Sequence, residues 1–168
     1  MSQSVTLFRL MIASPGDVNT ERMMLQDVIY KWNSNNTLEK SIVILPLMWE
    51  IDSPRGVADE SQSLIDEHML VNSDMVIGLF YSTLGRYGRT EYNTIGEIKK
   101  HIEKGTQVVL FFREPPIPAG YEQATEIAKV LDFKENLQSS LGIDAIYYDY
   151  KSESEFQEIG RASCRERV

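Results

Sequence analysis

The six residues MVIGLF (Met75–Phe80) contain no polar side chain and lie near the middle of a chain of 168 residues. An apolar run of this length is typical of a strand in a parallel sheet, because helices cover both of its faces. A second run, QVVLFF (Gln107–Phe112), follows after a helical pattern. These two runs predict the centre of a parallel α/β sheet.

Outward from this centre, strand and helix patterns alternate along the chain. The three other predicted strands are Val5–Ala13, Ile42–Trp49 and Ala145–Tyr150. The predicted helices are about Val18–Asn33, Ser61–Asn72, Thr94–Lys104 and Tyr121–Leu137. Such alternation with short links implies right-handed crossovers, and five strands favour the order 2-1-3-4-5. The predicted fold is therefore a flavodoxin-like, doubly wound, five-stranded parallel sheet.

Composition and charge narrow the partners that we expect. Hydrophobic residues make up 42% of the chain, which is enough to bury the core of one domain. No apolar run approaches the ~18 residues of a membrane span, and the first residues lack the pattern of a secretory signal, so we expect a cytoplasmic protein without membrane contact. The net charge of −8 repels phosphate backbones, which predicts no nucleic-acid partner.

Several common kinds of site lack their residues in this chain. Cys164 is the only cysteine, and His68 and His101 lie far apart, so no metal site is predicted and each histidine is interpreted as a core or helix-surface residue. The sequence has no G-x-G-x-x-G, no Walker loop and no Ser/His/Asp set. Dehydrogenase, NTPase and hydrolase interpretations therefore lack their motifs.

The last ten residues, Ile159–Val168, differ from the rest of the chain. They contain three arginines and the only cysteine, and they resemble the translation of a common sequencing adapter. We therefore predict a domain over residues 1–157 and an artefactual, disordered tail over residues 158–168. We also expect the natural protein to continue past Gln157.

The predicted strand order places a ligand crevice above the carboxyl ends of strands one and three, where the chain direction reverses. The first loop there is Ser14-Pro15-Gly16-Asp17, which enters a helix. Amides at a helix N-terminus attract anions, and Gly16 lets a ligand approach the backbone. An ordinary turn in which Asp17 caps the helix is the alternative. Arg22 is predicted to reach Asp17, Asp74 or a ligand phosphate.

The second loop, Tyr81–Asn93, is rich in glycine, aromatic residues and cations such as Arg86 and Arg89. It leads into Thr94-Ile-Gly-Glu97, which places Glu97 about one turn from the crevice. T-x-x-E is also a capping box, in which the glutamate only reaches back to the helix start. Trp49, at the end of strand two, is predicted to wall the site from the side.

Four stretches carry a family resemblance: MIASPGDVNTER, MWE, NSDMVIGLFYSTLG and NTIGEIKKHIEKGTQVVLFF. Together they resemble a TIR-like domain family found in multidomain bacterial proteins, many suspected of acting in phage defence. The resemblance extends over Leu7–Phe156. The wider relatives include TIR domains that cleave NAD and nucleoside deoxyribosyltransferases, and both groups place a catalytic glutamate early in the helix after the central strand. The resemblance therefore implies that Glu97 is catalytic.

The activity implied by this resemblance is cleavage of the nicotinamide–ribose bond of NAD, with NAD as substrate, no metal and no cofactor. Glu97 would stabilise the oxocarbenium-like state or trap it covalently. The implied substrate-binding residues are Ser14, Gly16, Asp17, Arg22, Trp49, Tyr81, Arg86 and Thr94. Self-association is expected to be needed for activity. Two alternatives stay open: a non-catalytic signalling or oligomerisation module, and a nucleoside deoxyribosyltransferase-like enzyme.

Overall fold

A computed structural model describes residues 4–48, 73–85 and 93–167, with only the backbone given at position 93 and at 163–167. Its strands are β1 (Thr6–Ala13), β2 (Ile42–Met48), β3 (Met75–Phe80), β4 (Gln107–Arg113) and β5 (Ile146–Tyr150). Its helices are α1 (Asn19–Lys40), α2 (Asn93–Glu103), α3 (Tyr121–Glu135), α4 (Leu137–Leu141) and α5 (Glu153–Arg167). The helix predicted at Ser61–Asn72 lies outside the described residues.

All five strands are parallel and form one sheet in the order β2-β1-β3-β4-β5. The predicted strand order and the flavodoxin-like doubly wound fold are confirmed. Every residue of β3 is buried, as expected for a strand covered on both faces. Leu10 of β1 pairs with Pro46 on one side and with Met75 on the other, so β1 and β3 are neighbours at the point where the order reverses.

Helices cover the sheet on both faces, and each face has its own apolar core. On one face, Leu25 and Ile29 of α1 pack with Phe156 of α5. On the other face, Ile98 of α2 and Val130 of α3 pack against the sheet. In the described part of the chain, no helix is both long and apolar enough to cross a membrane.

Helix α1 is longer than the sequence predicts, because it ends at Lys40 and not near Asn33. The apolar helical spacing on which this prediction rests ends near Asn33, and the next residues are mostly polar. In the structure, Ser34 Oγ and Asn36 Nδ2 donate to the carbonyls of Tyr30 and Trp32 at 2.9 and 2.7 Å, which satisfies them within the helix. The helix then ends with Ser41 in the left-handed conformation, whose N–H donates to the Thr37 carbonyl.

The structure differs from the predicted disordered tail, since α5 continues through residues 158–167. Phe156 and Gly160 are buried and Ile159 packs partly against the core, a helical spacing of three to four residues. The domain boundary at Gln157 divided this pattern and so concealed it. Ser152 and Glu155 also fix the start of the helix: Ser152 Oγ accepts the Glu155 N–H at 3.3 Å, and Glu155 accepts the Lys151 N–H at 2.8 Å.

Gly78 brings α2 close to the centre of the sheet. A Cβ at this position would lie 2.7 Å from Leu110 Cδ2 and 3.0 Å from Ile98 Cδ1. The missing side chain therefore leaves the space that Ile98 fills, and Ile98 directly follows Glu97 in the chain. The position of Glu97 depends on this close contact between helix and strand.

Candidate functional site

The loop after β1 is held by a buried arginine. Arg22, which is 4% exposed, donates to Ser14 Oγ through Nε at 2.9 Å and through Nη2 at 2.6 Å. Nη2 also lies 3.2 Å from the carbonyl oxygens of Ser14 and Pro15. Arg22 thus braces the Ser14–Pro15 turn from within. Asp74, one of its predicted partners, lies at the opposite end of β3, where its carboxylate accepts the Arg9 N–H at 2.7 Å.

Asp17 joins the loop after β1 to the loop after β3. Its Oδ2 accepts both the N–H and the hydroxyl of Ser82 at 2.8 Å. The start of α1 has no side-chain cap, so the alternative in which Asp17 caps this helix is wrong: its carboxylate is engaged across the crevice. The other oxygen, Oδ1, is buried without a hydrogen-bond partner among the described residues. A phosphate close to this oxygen would be repelled.

Thr83 and Gly85 shape the next part of the loop after β3. Thr83 Oγ1 donates to Glu126 of α3 at 3.2 Å and accepts the Gly85 N–H at 3.2 Å. Gly85 has a φ of +85°, which favours glycine. A Cβ on Gly85 would lie 3.2 Å from Thr94 Oγ1 and 3.7 Å from Pro15. The two loops and the start of α2 therefore meet at Gly85.

Glu97 lies in α2 one turn beyond Thr94, and it is 9% exposed. A capping box needs its threonine at the cap, outside the helix. Here the helix already includes Asn93, so Thr94 lies within the first turn and Glu97 follows in the second. Thr94 therefore lies inside the described helix and not at the cap position that a capping box requires. One turn further, buried His101 places Nδ1 2.9 Å from the Glu97 carbonyl, which identifies it as a core histidine.

A second brace supports Tyr81, which follows β3 directly. The Arg113 guanidinium lies over the Tyr81 ring, 4.6 Å from its centroid, and Arg113 Nη1 donates to Glu21 Oε1 at 2.8 Å. Glu21 is 1% exposed and the Arg113 side chain 27%, so this partly buried ion pair joins the first turn of α1 to the end of β4. Nearby Tyr150 is also buried. Burial and, to a lesser degree, the charge of Glu21 raise the pKa of its phenol well above the usual value.

These loops border an open cavity of about 410 Å³, which we name the switch cavity. Its described lining includes Pro15, Gly16, Ser82 and Gly85 on the strand side and Glu122 and Glu126 of α3 on the other. Among the described lining residues the ionisable side chains are carboxylates. Within the described ranges, no cluster of three His, Cys, Asp or Glu residues could hold a metal ion.

The structure brings together most of the predicted site residues. Gly16 lines the switch cavity, Ser14 and Arg22 brace one of its loops, and the contacts above place Asp17 and Thr94 beside it. Tyr81 lies under Arg113 and lines a different cavity. Glu97 is one turn from Thr94 and does not belong to the described lining. Trp49 and Arg86 lie outside the described residues, as does Arg89.

The sequence interpretation missed four residues that hold these loops: Glu21, Ser82, Arg113 and Glu126. A signal was available for two of them. Ser82 and Arg113 lie at the carboxyl ends of β3 and β4, where ligand sites of this fold class gather. Glu21 and Glu126 look like surface helix residues, and only their tertiary contacts reveal their role.

Comparison with known proteins finds relatives in fold only. No family model matches the chain, and no curated protein matches it. The TIR domains of the activated Roq1 resistosome, which directly recognizes the pathogen effector XopQ, align with a TM-score of 0.52 at 15% identity over 94% of this chain and 99% of theirs. Translation elongation factor SelB from Methanococcus maripaludis aligns with a TM-score of 0.53 at 11% identity over 98% of this chain, which spans 34% of SelB. At these identities the fold is similar to that of a TIR domain, and the likeness extends no further.

Proposed function

We propose that this chain is a TIR-like domain that cleaves the nicotinamide–ribose bond of NAD, with Glu97 as the catalytic carboxylate. The observation that carries the proposal is the position of Glu97. It is buried in the second turn of the helix after the central strand, and its neighbour one turn back, Thr94, touches the loop at the switch cavity. A carboxylate with little water around it stabilises a developing positive charge strongly.

The reaction begins when the C1′–N bond of the ribosyl nicotinamide breaks and its electron pair goes to the ring nitrogen, which releases neutral nicotinamide. The sugar becomes an oxocarbenium-like cation, and the Glu97 carboxylate stabilises it. Water then adds to C1′ and loses a proton to the carboxylate or to solvent, which gives ADP-ribose. Gly16 would leave room for the substrate beside the start of the helix, and Ser14 and Arg22 would keep that turn in place.

The pyrophosphate of NAD needs cations, and the described lining of the switch cavity offers carboxylates. The proposal therefore assigns the phosphates to Arg86, with Arg89 nearby in the sequence. The same observation favours a second candidate, a nucleoside deoxyribosyltransferase-like activity, because a nucleoside carries no phosphate. Both reactions break a glycosidic bond beside the same carboxylate.

The test is a parallel measurement of base release from NAD and from deoxynucleosides by the purified chain. Each substrate is incubated with dilute protein, with concentrated protein and with protein clustered on a surface, because we expect self-association to be needed. Nicotinamide release that increases with clustering supports the first candidate, and free base from deoxynucleosides alone supports the second. If no substrate is cleaved even when the protein is clustered, the chain is better explained as a non-catalytic signalling or oligomerisation module.

A further inference from the structure

A second cavity lies above the carboxyl ends of β4 and β5, away from the residues proposed for catalysis. Its volume is about 260 Å³, and we name it the aromatic cavity. Its apolar lining includes Tyr81, Phe112, Ile127, Val130, Leu131 and Tyr150. An apolar cavity of about 150 Å³ can hold a benzene molecule. This one therefore has room for one aromatic ring with a substituent.

Six charged side chains also line the aromatic cavity, three cationic (Arg113, Lys134 and Lys151) and three anionic (Glu114, Asp149 and Glu155). Arg113 is paired with Glu21 at 2.8 Å, and Lys134 with Asp149 at 2.5 Å. Glu155 accepts the Lys151 N–H at 2.8 Å. Since three cations and three anions line the cavity, their formal charges balance, and the cavity offers little net attraction to an ion that must lose its hydration. A neutral ligand fits this wall better.

One polar group, the guanidinium of Arg113, can still orient such a ligand. Arg113 uses one of its N–H groups on Glu21, and 27% of its side chain remains exposed. The Tyr150 hydroxyl has no hydrogen-bond partner in the described ranges, but it is fully buried and so does not reach a ligand in the cavity. An N–H donor beside an apolar floor suits a planar ring that carries a carbonyl acceptor.

We propose that the aromatic cavity is a second binding site, separate from the switch cavity, for a neutral planar aromatic ring carrying a carbonyl acceptor, the size of an aryl carboxamide. The site does not depend on the proposed catalytic function. Its occupant would contact the Arg113–Tyr81 stack, which is also part of the brace that supports the loop after β3.

The experiment is an NMR titration of the whole chain with benzamide, and with benzoate as the charged counterpart of the same shape. We expect saturable shifts of the methyl groups of Ile127, Val130 and Leu131, with a dissociation constant on the order of 1 mM for so small a ligand. Benzoate should bind at least ~10-fold more weakly, because its charge must be desolvated. Scattered shifts, shifts confined to the switch cavity, or equal binding of benzoate would overturn the proposal.

A matched pair of variants tests the location independently of the shifts. Leu131→Trp fills the cavity from a helix position that is already partly exposed, and Leu38→Trp places the same side chain on the exposed face of α1. We expect Leu131→Trp to weaken benzamide binding at least ~10-fold and Leu38→Trp to leave it unchanged, with similar melting temperatures for both. Unchanged binding in folded Leu131→Trp would contradict the assignment.

Discussion

The two cavities at the carboxyl edge of the sheet are lined by different kinds of residue. The switch cavity is formed by turns and small residues such as Gly16, Ser82 and Gly85, and its described ionisable lining is acidic. The aromatic cavity is formed by rings and aliphatic side chains, and three cationic and three anionic side chains at its lining balance in formal charge. In the switch cavity the backbone can approach a ligand closely, which suits chemistry at a sugar. The apolar wall of the aromatic cavity suits the binding of a neutral ligand. We therefore propose different roles for the two cavities at this sheet edge, catalysis beside the first and ligand binding in the second.

Tyr81 and Arg113 join these two regions. Tyr81 lines the aromatic cavity, and the residue after it, Ser82, is fixed by Asp17 beside the switch cavity. Arg113 lies over Tyr81 and is anchored to Glu21. A substitution in the stack of Tyr81 and Arg113 should therefore alter both cavities, whereas a substitution elsewhere should alter one cavity alone.

The largest expected effect on stability comes from Arg113→Met, which removes the brace common to both regions. Glu21 would be left as a buried, unpaired carboxylate, so we expect a loss of about 3 kcal/mol in the free energy of unfolding, measured in urea. Glu21→Gln should cost less, because the partly exposed Arg113 can reach water. Equal losses in the two variants would contradict this asymmetry.

Gly78→Ala should disturb the region of the switch cavity through α2. The new methyl group would meet Leu110 and Ile98 in the core, so we expect a loss of about 1–3 kcal/mol. The control is Gly120→Ala, whose Cβ would have no heavy atom within 4 Å, and it should stay within about 0.5 kcal/mol. Denaturation curves of the two variants should separate clearly, and overlapping curves would show that the contact between α2 and β3 is loose.

Tyr150→Phe should affect the region of the aromatic cavity, and its effect on stability should depend on pH. The raised pKa of the phenol means that the folded protein keeps a proton that the unfolded chain loses above about pH 10, so stability falls as the pH rises past that value. Below pH 10 both the folded and the unfolded protein keep this proton, so it gives stability no pH dependence there. In that range, removal of the unpartnered hydroxyl should change the free energy of unfolding by less than about 1 kcal/mol. Thermal melts from pH 7 to 11 should show a flatter profile for the variant, and parallel profiles would contradict this.

Gly16→Ala should have the smallest effect on the fold and a specific effect on the switch cavity. Gly16 is exposed, and an added Cβ would have no heavy atom within 4 Å. The melting temperature should therefore barely change, and the free energy of unfolding should change by less than about 0.5 kcal/mol. The added methyl group lies where the substrate is proposed to approach the backbone, so the KM for NAD should rise by ~10-fold. An unchanged KM would move the substrate away from this turn.

The sequence predicts the sheet well because its apolar runs are long and unambiguous. Met75–Phe80 is a strand with the predicted bounds, and the strand order follows from general rules of α/β folds. It predicts the ends of α1 and α5 poorly, because tertiary contacts decide them. In α1, the side chain of Asn33 pairs with both the N–H and the carbonyl of Ile44 in β2 at 2.8 Å, which keeps a polar stretch helical against the sheet.

At the candidate site, too, the sequence predicts what local pattern and topology decide, and it does not predict what tertiary contacts decide. The two loops at the crevice are predictable, since topology alone selects them. The roles of Ser14, Arg22 and Asp17 are not, because each could face a ligand or another part of the protein, and sequence does not distinguish the two. Ser14 and Arg22 bond to each other, and Asp17 binds Ser82. In these contacts the three residues hold the loops.

The central claim, that Glu97 is the catalytic carboxylate, is tested most directly by nicotinamide release in a matched pair of glutamine variants. Glu97→Gln and Glu103→Gln change the same residue type on the same helix, and Glu103 is exposed. With both variants folded to similar melting temperatures, we expect Glu97→Gln to lose at least ~10²-fold in turnover and Glu103→Gln to keep the wild-type rate. Equal turnover in the two variants would contradict the assignment of Glu97 and with it the proposed mechanism.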